Sequence, residues 1–259
     1  MITSLHSPHI ARVKALFDTH SPKERQVLGE FAIEGIRAIE SAEAAGIFTI
    51  NEIFVVEELS DLFPGASVVS EQVMKKMSDT QSPQGVIALA KLIPNQERLR
   101  DPSKYQKIAY FLEVQDPGNA GTIIRSADAL GFDAVLFSPG SVDPYSAKVV
   151  RSSVGSVAAI PVITDFSVED LISYFSESHQ LILLDMAGAE LQSIDSEGAL
   201  VLIFGNEARG IPDQLLNDER FSRFAISMAG RAESLNLATA AGIAMYEISR
   251  NAGRAESKL

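Results

Sequence analysis

"LVLIFGNEARG", residues 200–210, decides how this chain folds. Five consecutive apolar residues leave no polar face. A strand wet on one side alternates, whereas an unbroken apolar run suits a strand covered on both faces of a parallel sheet. The run stops at Gly205, and Asn206, Glu207 and Arg209 follow before Gly210. Ligands of open parallel sheets bind just beyond the carboxyl ends of the strands. Taken alone, the polar island is more simply a tight loop with a surface ion pair.

The pattern repeats on either side. Strands are predicted at 107–114, 133–137, 157–162, 180–185, 199–204 and 222–226, and helices at 120–130, 145–152, 167–176 and 235–250. This alternation predicts an α/β fold with a parallel sheet. A smaller alternating unit precedes it. "FAIEG" (31–35) reads as a strand. Ile36, Ile39 and Ala42 give a helical face stopped by Gly46, strands follow at 52–56 and 85–92, and a helix at 71–77. The polar, aperiodic stretch between them gives a linker at 96–105. The organisation is thus 1–95, linker, and 106–259.

Net charge is −12. A nucleic-acid binder usually carries a basic footprint, so the total argues against tight nonspecific binding. Basic residues nevertheless cluster locally, and Arg12, Lys14, Arg37 and Arg151 are the candidates for RNA contact. From Ser152 to Ala208 there is no lysine or arginine, so an anionic partner must avoid that stretch. No cysteine is present, which excludes disulfides and thiolate zinc sites. His6 and His9 lack a third partner nearby, so no metal site is expected. The first twenty residues show no signal peptide and no apolar stretch spans a bilayer, so the expected location is cytoplasmic, with no membrane partner.

Two further islands follow predicted strands. "QDPGNAGTIIR", residues 115–125, turns at Pro117 and Gly118 and enters a helix, which Asn119 can cap. Helical side chains lean towards the N-terminus, so Arg125 is expected to lean over Gly121 towards the helix mouth. Asn119 as a mere cap and Arg125 as a solvated charge explain this fragment equally well. In "AESLNLATAAGIAMYEISR", residues 232–250, Ser234 can cap the last helix and Asn236 needs a partner. That helix is small and apolar on nearly every side, as burial against backbone or another helix requires.

Together and in order, these islands resemble the SpoU family of RNA ribose methyltransferases, in the SPOUT superfamily. N-x-G-x-I-x-R-x-A-x-x-x-G stands as Asn119, Gly121, Ile123, Arg125, Ala127 and Gly131. G-N-E-x-x-G stands as Gly205, Asn206, Glu207 and Gly210. S-L-N-L-x-x-A stands as Ser234, Leu235, Asn236, Leu237 and Ala240. The resemblance covers about 105 to 250, and "FAIEGIRAIESA" (31–42) more loosely resembles the family's ribosomal-protein-like substrate-binding domain. Where the family usually has I-P-M, this chain has Ile226, Ser227 and Met228, and serine lacks proline's fixed φ.

The resemblance implies a C-terminal SPOUT domain with a deep trefoil knot holding S-adenosylmethionine. The implied cofactor contacts are Leu184, Gly188, Gly205, Ile226, Met228, Ser234 and Leu235. The implied catalytic set is Arg125, Asn119, Glu207, Ser234 and Asn236. Arg125 would clamp a phosphate of the target nucleotide, Asn119 would orient the ribose or Arg125, and Glu207 would hold Arg125 or the Asn236 amide. Ser234, or the phosphate, would relay the proton. The implied reaction is 2′-O-methylation of a ribose. Ribosomal RNA is favoured over transfer RNA by the appended front domain. The implied assembly is a homodimer through helices 120–130 and 235–250 of the knotted domain. The rival readings are a noncatalytic RNA-binding or ribosome-assembly protein, discriminated by cofactor titration, and a Rossmann oxidoreductase, for which no G-x-G-x-x-G exists.

Overall fold

The computed structural model describes residues 1–18 and 22–256. They divide into two compact units, one of residues 1–94 and 143–159 and one of residues 95–142 and 160–259.

The first unit is a four-stranded mixed sheet. Its strands are β1 (Glu30–Glu34), β2 (Ile50–Val56), β3 (Ser67–Val69) and β4 (Val86–Lys91), in the order β1-β4-β2-β3. β4 pairs antiparallel with both β1 and β2, and β3 pairs parallel with β2. Period-two alternation sorts β1: Ala32 joins a core with helices α1 (Pro8–Phe17) and α4 (Glu71–Met77) through Val13, Leu16, Val73 and Met77. Phe31 instead meets Phe48 and Tyr145, ring centroids 5.0 and 4.8 Å away. Helix α3 (Ile36–Ala45) buries Ile39 and Ala42 and ends, as expected, at Gly46 with φ 62°. Helix α2 (Pro22–Leu28) and β3 have no counterpart in the sequence reading. The buried residue of α2 is Arg25, so the helix shows no apolar stripe. Its guanidinium pairs with Asp143 at 2.6 Å and donates to the carbonyls of Leu16 and Asp18.

The second unit is a six-stranded sheet in which every pair is parallel. The strands are β5 (Lys107–Phe111), β6 (Ala134–Phe137), β7 (Val162–Ile163), β8 (Gln180–Glu190), β9 (Leu200–Phe204) and β10 (Phe221–Ala225), in the order β10-β8-β9-β5-β6-β7. β9 lies inside the sheet with all five residues buried, as its unbroken apolar run requires. Phe204 stacks on Phe111 of β5 with centroids 4.6 Å apart. The longer helices are α5 (Pro117–Ala129), α6 (Val168–Phe175) and α7 (Leu237–Glu256). Helix α6 opens with a capping box between Ser167 and Asp170.

Several expectations need correction. The strand predicted at 157–162 is a 3-10 turn at Ser156–Ala158 followed by the two-residue β7. Gly155 opens the turn at φ 92°, and Pro161 offers no donor to a ladder. Residues 95–105 hold a short helix, Asn95–Arg98, and place Leu99 and Tyr105 in the core of the second unit, so contacts begin that unit at Asn95. By contacts, residues 143–159 pack with the first unit. Finally, α7 is not buried all round. Ala241, Ala244, Met245 and Ile248 are fully buried, while Ile243 is 40% and Tyr246 56% exposed.

Candidate active site

Three loops at the carboxyl ends of β5, β9 and β10 meet over one cavity of about 740 Å³. The loop after β5 leads to Asp116, which caps α5. Its Oδ1 accepts from the backbone N–H of Asn119 at 2.8 Å. Asp116 therefore plays the capping role expected of Asn119, and the Asn119 side chain is free for other use. A Cβ on Gly118 would stand 2.8 Å from that same Oδ1, so a side chain there would push against the cap.

The loop after β9 folds back on itself. Asn206 and Gly210 exchange backbone hydrogen bonds of 3.0 and 2.9 Å, and the Asn206 Oδ1 accepts from the N–H groups of Ala208 and Arg209. The Asn206 amide donates to the Glu113 carbonyl at 2.8 Å, and Arg209 pairs with the Glu113 carboxylate. A Cβ on Gly205 would lie 2.4 Å from the Gly210 carbonyl carbon, so only glycine fits there. Asn206 thus shapes the loop, and Glu207 is left to face the cavity.

The third loop delivers Asn236, whose Oδ1 accepts from Ala238 and Thr239 N–H at 3.0 and 3.2 Å. Asn236, not Ser234, therefore caps α7. Its own amide donates to Asn119 Oδ1 at 3.0 Å, and the Asn119 amide donates to Glu207 Oε1 at 3.3 Å. One residue from each sequence island is joined in a single hydrogen-bonded row. Glu207 holds Asn119, rather than Arg125 or Asn236 directly.

Leu184, Gly205, Ile226, Met228, Ser234 and Leu235 all line the cavity. Gly188 does not. A Cβ there would lie 2.4 Å from the Phe224 backbone nitrogen, so this glycine serves the close crossing of β8 and β10. Arg125 also stays outside. It is exposed on α5, without a hydrogen bond or ion pair among the described residues. Sequence reasoning missed Gln115, Asp116, Asp185 and Ile211 on the wall. The strand-end rule could have found Asp185, which directly follows Leu184.

The chemistry of the wall is one-sided. Asp116, Asp185 and Glu207 line it and no lysine or arginine does. Such a wall disfavours a phosphate and suits a ligand with positive charge. Leu184, Phe204, Ile226 and Leu235 add apolar surface, and the volume fits a medium-sized organic molecule. Among the described residues no group of three or more histidines or carboxylates could hold a metal, and no helix is long and apolar enough to cross a membrane.

The basic candidates of the first unit are placed differently. Arg12 makes hydrogen bonds to Glu30 and Glu52, and the bond to Glu30 chiefly pushes its pKa above the ordinary guanidinium value. Arg151 pairs with Asp79 at 2.5 Å. Lys14 and Arg37 have no such partner among the described residues. His9 stands 3.7 Å from Glu52 rather than free in solvent.

Residues 107–246 match the model of the SpoU rRNA Methylase family. The chain belongs to the SpoU rRNA methylase family. Residues 11–88 match the MRM3-like substrate binding domain. A Bacillus subtilis 23S rRNA (guanosine(2553)-2′-O)-methyltransferase, RlmP, is 35% identical over 92% of this chain and 95% of its own. An AdoMet-bound rRNA methyltransferase from Sinorhizobium meliloti superposes with a TM-score of 0.82 at 32% identity, covering 96% of this chain and 97% of that one. The SpoU methyltransferase AviRb from Streptomyces viridochromogenes, in complex with AdoMet, gives 0.80 at 26% identity, over 95% and 98%. As a SpoU methylase the chain is an RNA methyltransferase that uses S-adenosylmethionine. The carboxylates and apolar residues of the cavity are chemically compatible with that cationic cofactor.

Proposed function

We propose that this SpoU methylase places a methyl group on a ribose 2′-hydroxyl of ribosomal RNA, and that the cavity at the ends of β8 and β9 is its cofactor site. The observation that carries the reading is the row Glu207–Asn119–Asn236 at the rim of a wall lined by three carboxylates, of which Asp185 is paired with Arg223. When bound, S-adenosylmethionine supplies an electrophilic methyl on a sulfonium.

The residues divide the remaining work. Leu184, Gly205, Ile226, Met228 and Leu235 hold the cofactor with apolar surface and backbone groups. A ribose hydroxyl is a weak nucleophile until its proton is drawn off. Ser234, exposed and lining the cavity, passes that proton on in this reading. Asn119, fixed at both ends of its amide, orients the sugar. Arg125 acts at the cavity of a second copy, where its charge clamps the nucleotide's phosphate and eases alkoxide character at the 2′-oxygen. The exposed Ile243 and Tyr246 on α7 support a homodimer through α5 and α7. The SPOUT knot is the topology we infer for the segment around the cavity. Residues 1–95 form the RNA substrate-binding part, with Lys14 and Arg37 available to meet phosphate. No metal is needed, because the sulfonium is already an electrophile, and the place of action is the cytoplasm.

The test is transfer of labelled methyl from S-adenosylmethionine to ribosomal RNA from cells lacking the gene, with the mark mapped by nuclease-resistant 2′-O-methyl linkages. A single protected ribose in the large or small ribosomal RNA is expected. Label in transfer RNA alone, or cofactor binding without transfer, would overturn the assignment.

A further inference from the structure

One wall residue is left unexplained by the motifs. β8 pairs Leu183 with Arg223 of β10, and its next pair is Ala189 with Phe224, so residues 184–188 bulge out of the ladder. Asp185 sits in that bulge and lines the cavity. Its Oδ2 is fully engaged, accepting from Arg223 Nε at 3.1 Å, from an Arg223 terminal nitrogen, and from Ala187 N–H at 3.3 Å. Its Oδ1 takes no hydrogen bond from any described residue.

One carboxylate oxygen of a cavity-lining residue is thus an open acceptor. We propose that Oδ1 of Asp185 accepts a hydrogen bond from a ribose hydroxyl of the bound adenosyl cofactor, so that Asp185 reads the cofactor's sugar. This rests on the cavity being the S-adenosylmethionine site.

Two arguments select the sugar over the cofactor's positive groups. Arg223 already neutralises Asp185, which makes it a poor counter-ion but leaves it a good acceptor for a neutral hydroxyl. Glu207 has no such arginine and is the better partner for positive charge. Position agrees: Asp185 directly follows Leu184, the last residue of β8 paired with β9, and an acidic side chain at the carboxyl end of a parallel strand pair is where other open α/β sheets hold a ribose hydroxyl. Arg223 is then a positioning residue, which turns the carboxylate so that one oxygen faces the cavity.

Calorimetric titration of the full chain with S-adenosylhomocysteine and its 2′-deoxy and 3′-deoxy analogues tests this without relying on turnover. Asp185→Ala should weaken the parent ligand about tenfold or more. It should leave the affinity for at least one deoxy analogue close to that of the unsubstituted protein. Asp185→Val, which keeps more of the volume and carries no acceptor, stands in if the alanine variant does not fold. Equal weakening of all three ligands would overturn the sugar contact while leaving the cofactor site intact. Failure of S-adenosylhomocysteine to bind the unsubstituted protein would sink the cofactor site itself.

Discussion

The Asn236 amide donates a 3.0 Å hydrogen bond to the side-chain oxygen of Asn119, 117 residues earlier in the chain. Asn236 also caps α7, and Asn119 also donates to Glu207, so one short row couples two helix entrances to the loop after β9. Asn119 is thus chemically specific. It must accept on one side and donate on the other.

That asymmetry separates two substitutions. Asn119→Ala removes both bonds at a half-buried position and should change stability by about 1 kcal/mol, while methyl transfer falls at least tenfold. Asn119→Asp keeps the acceptor for Asn236 but loses the donor and sets a carboxylate against Glu207. It should be the slower enzyme of the two. Rates of methyl transfer by both variants, with thermal melts beside them, decide this. An aspartate variant faster than the alanine one would show that the row is not what matters.

Arg125 lies outside the cavity of its own chain, so its role is testable by mixing. Arg125→Ala should be inactive and Asn119→Ala at least tenfold impaired, yet both should bind S-adenosylmethionine. After reassortment of the two, a twofold dimer has one intact site in each mixed pair, so about a quarter of full activity should return. No recovery from a demonstrably mixed dimer would place Arg125 elsewhere than in a neighbour's site.

Much of this architecture is written in residue order. The apolar runs of β8 and β9 demand a sheet covered on both faces, and the glycine-bounded islands lie at strand ends as parallel topology requires. What sequence hides is who partners whom. It misassigns the caps of both helices, because Asp116 and Asn119 are both competent caps, as are Ser234 and Asn236; only the long-range bond between the asparagines breaks the tie. The α2 helix leaves no mark in the pattern because its buried residue is an arginine, and periodicity counts only apolar side chains. Gly188 reads as a cofactor contact because both a ligand and a crossing backbone require the same missing Cβ.

Gly205 and Gly210 are glycines for different reasons, and substitution should tell them apart. A Cβ at 205 meets the backbone at 2.4 Å, so Gly205→Ala must displace the Gly210 turn. It should cost about 1–3 kcal/mol and abolish cofactor binding. At Gly210 a Cβ meets nothing within 4 Å, but φ is +67°. Gly210→Asn should therefore be nearly tolerated and Gly210→Val should not, since asparagine visits the left-handed region and β-branched residues avoid it. Denaturant melts paired with cofactor titration would check both, and a Gly210→Asn protein as weak as the Gly210→Val one would disprove the conformational argument.

The strongest stability prediction concerns Arg25, whose side chain is 1% exposed and pairs with Asp143 at 2.6 Å while donating to two carbonyls. Arg25→Ala strands a half-buried carboxylate and both carbonyls together. The expected loss is about 3–5 kcal/mol, the range for removing one member of a buried pair. Arg25→Lys should recover little of it, because an ammonium cannot reproduce the planar fork that serves Asp143 and both carbonyls at once. Arg25→Met with Asp143→Leu removes both charges at similar volume. That double variant should be more stable than Arg25→Ala alone, since the cost lies in leaving a charge unpaired more than in losing the attraction. Urea unfolding of the unsubstituted protein and the three variants measures the differences, and a double variant weaker than Arg25→Ala would mean that the pair is itself a net source of stability.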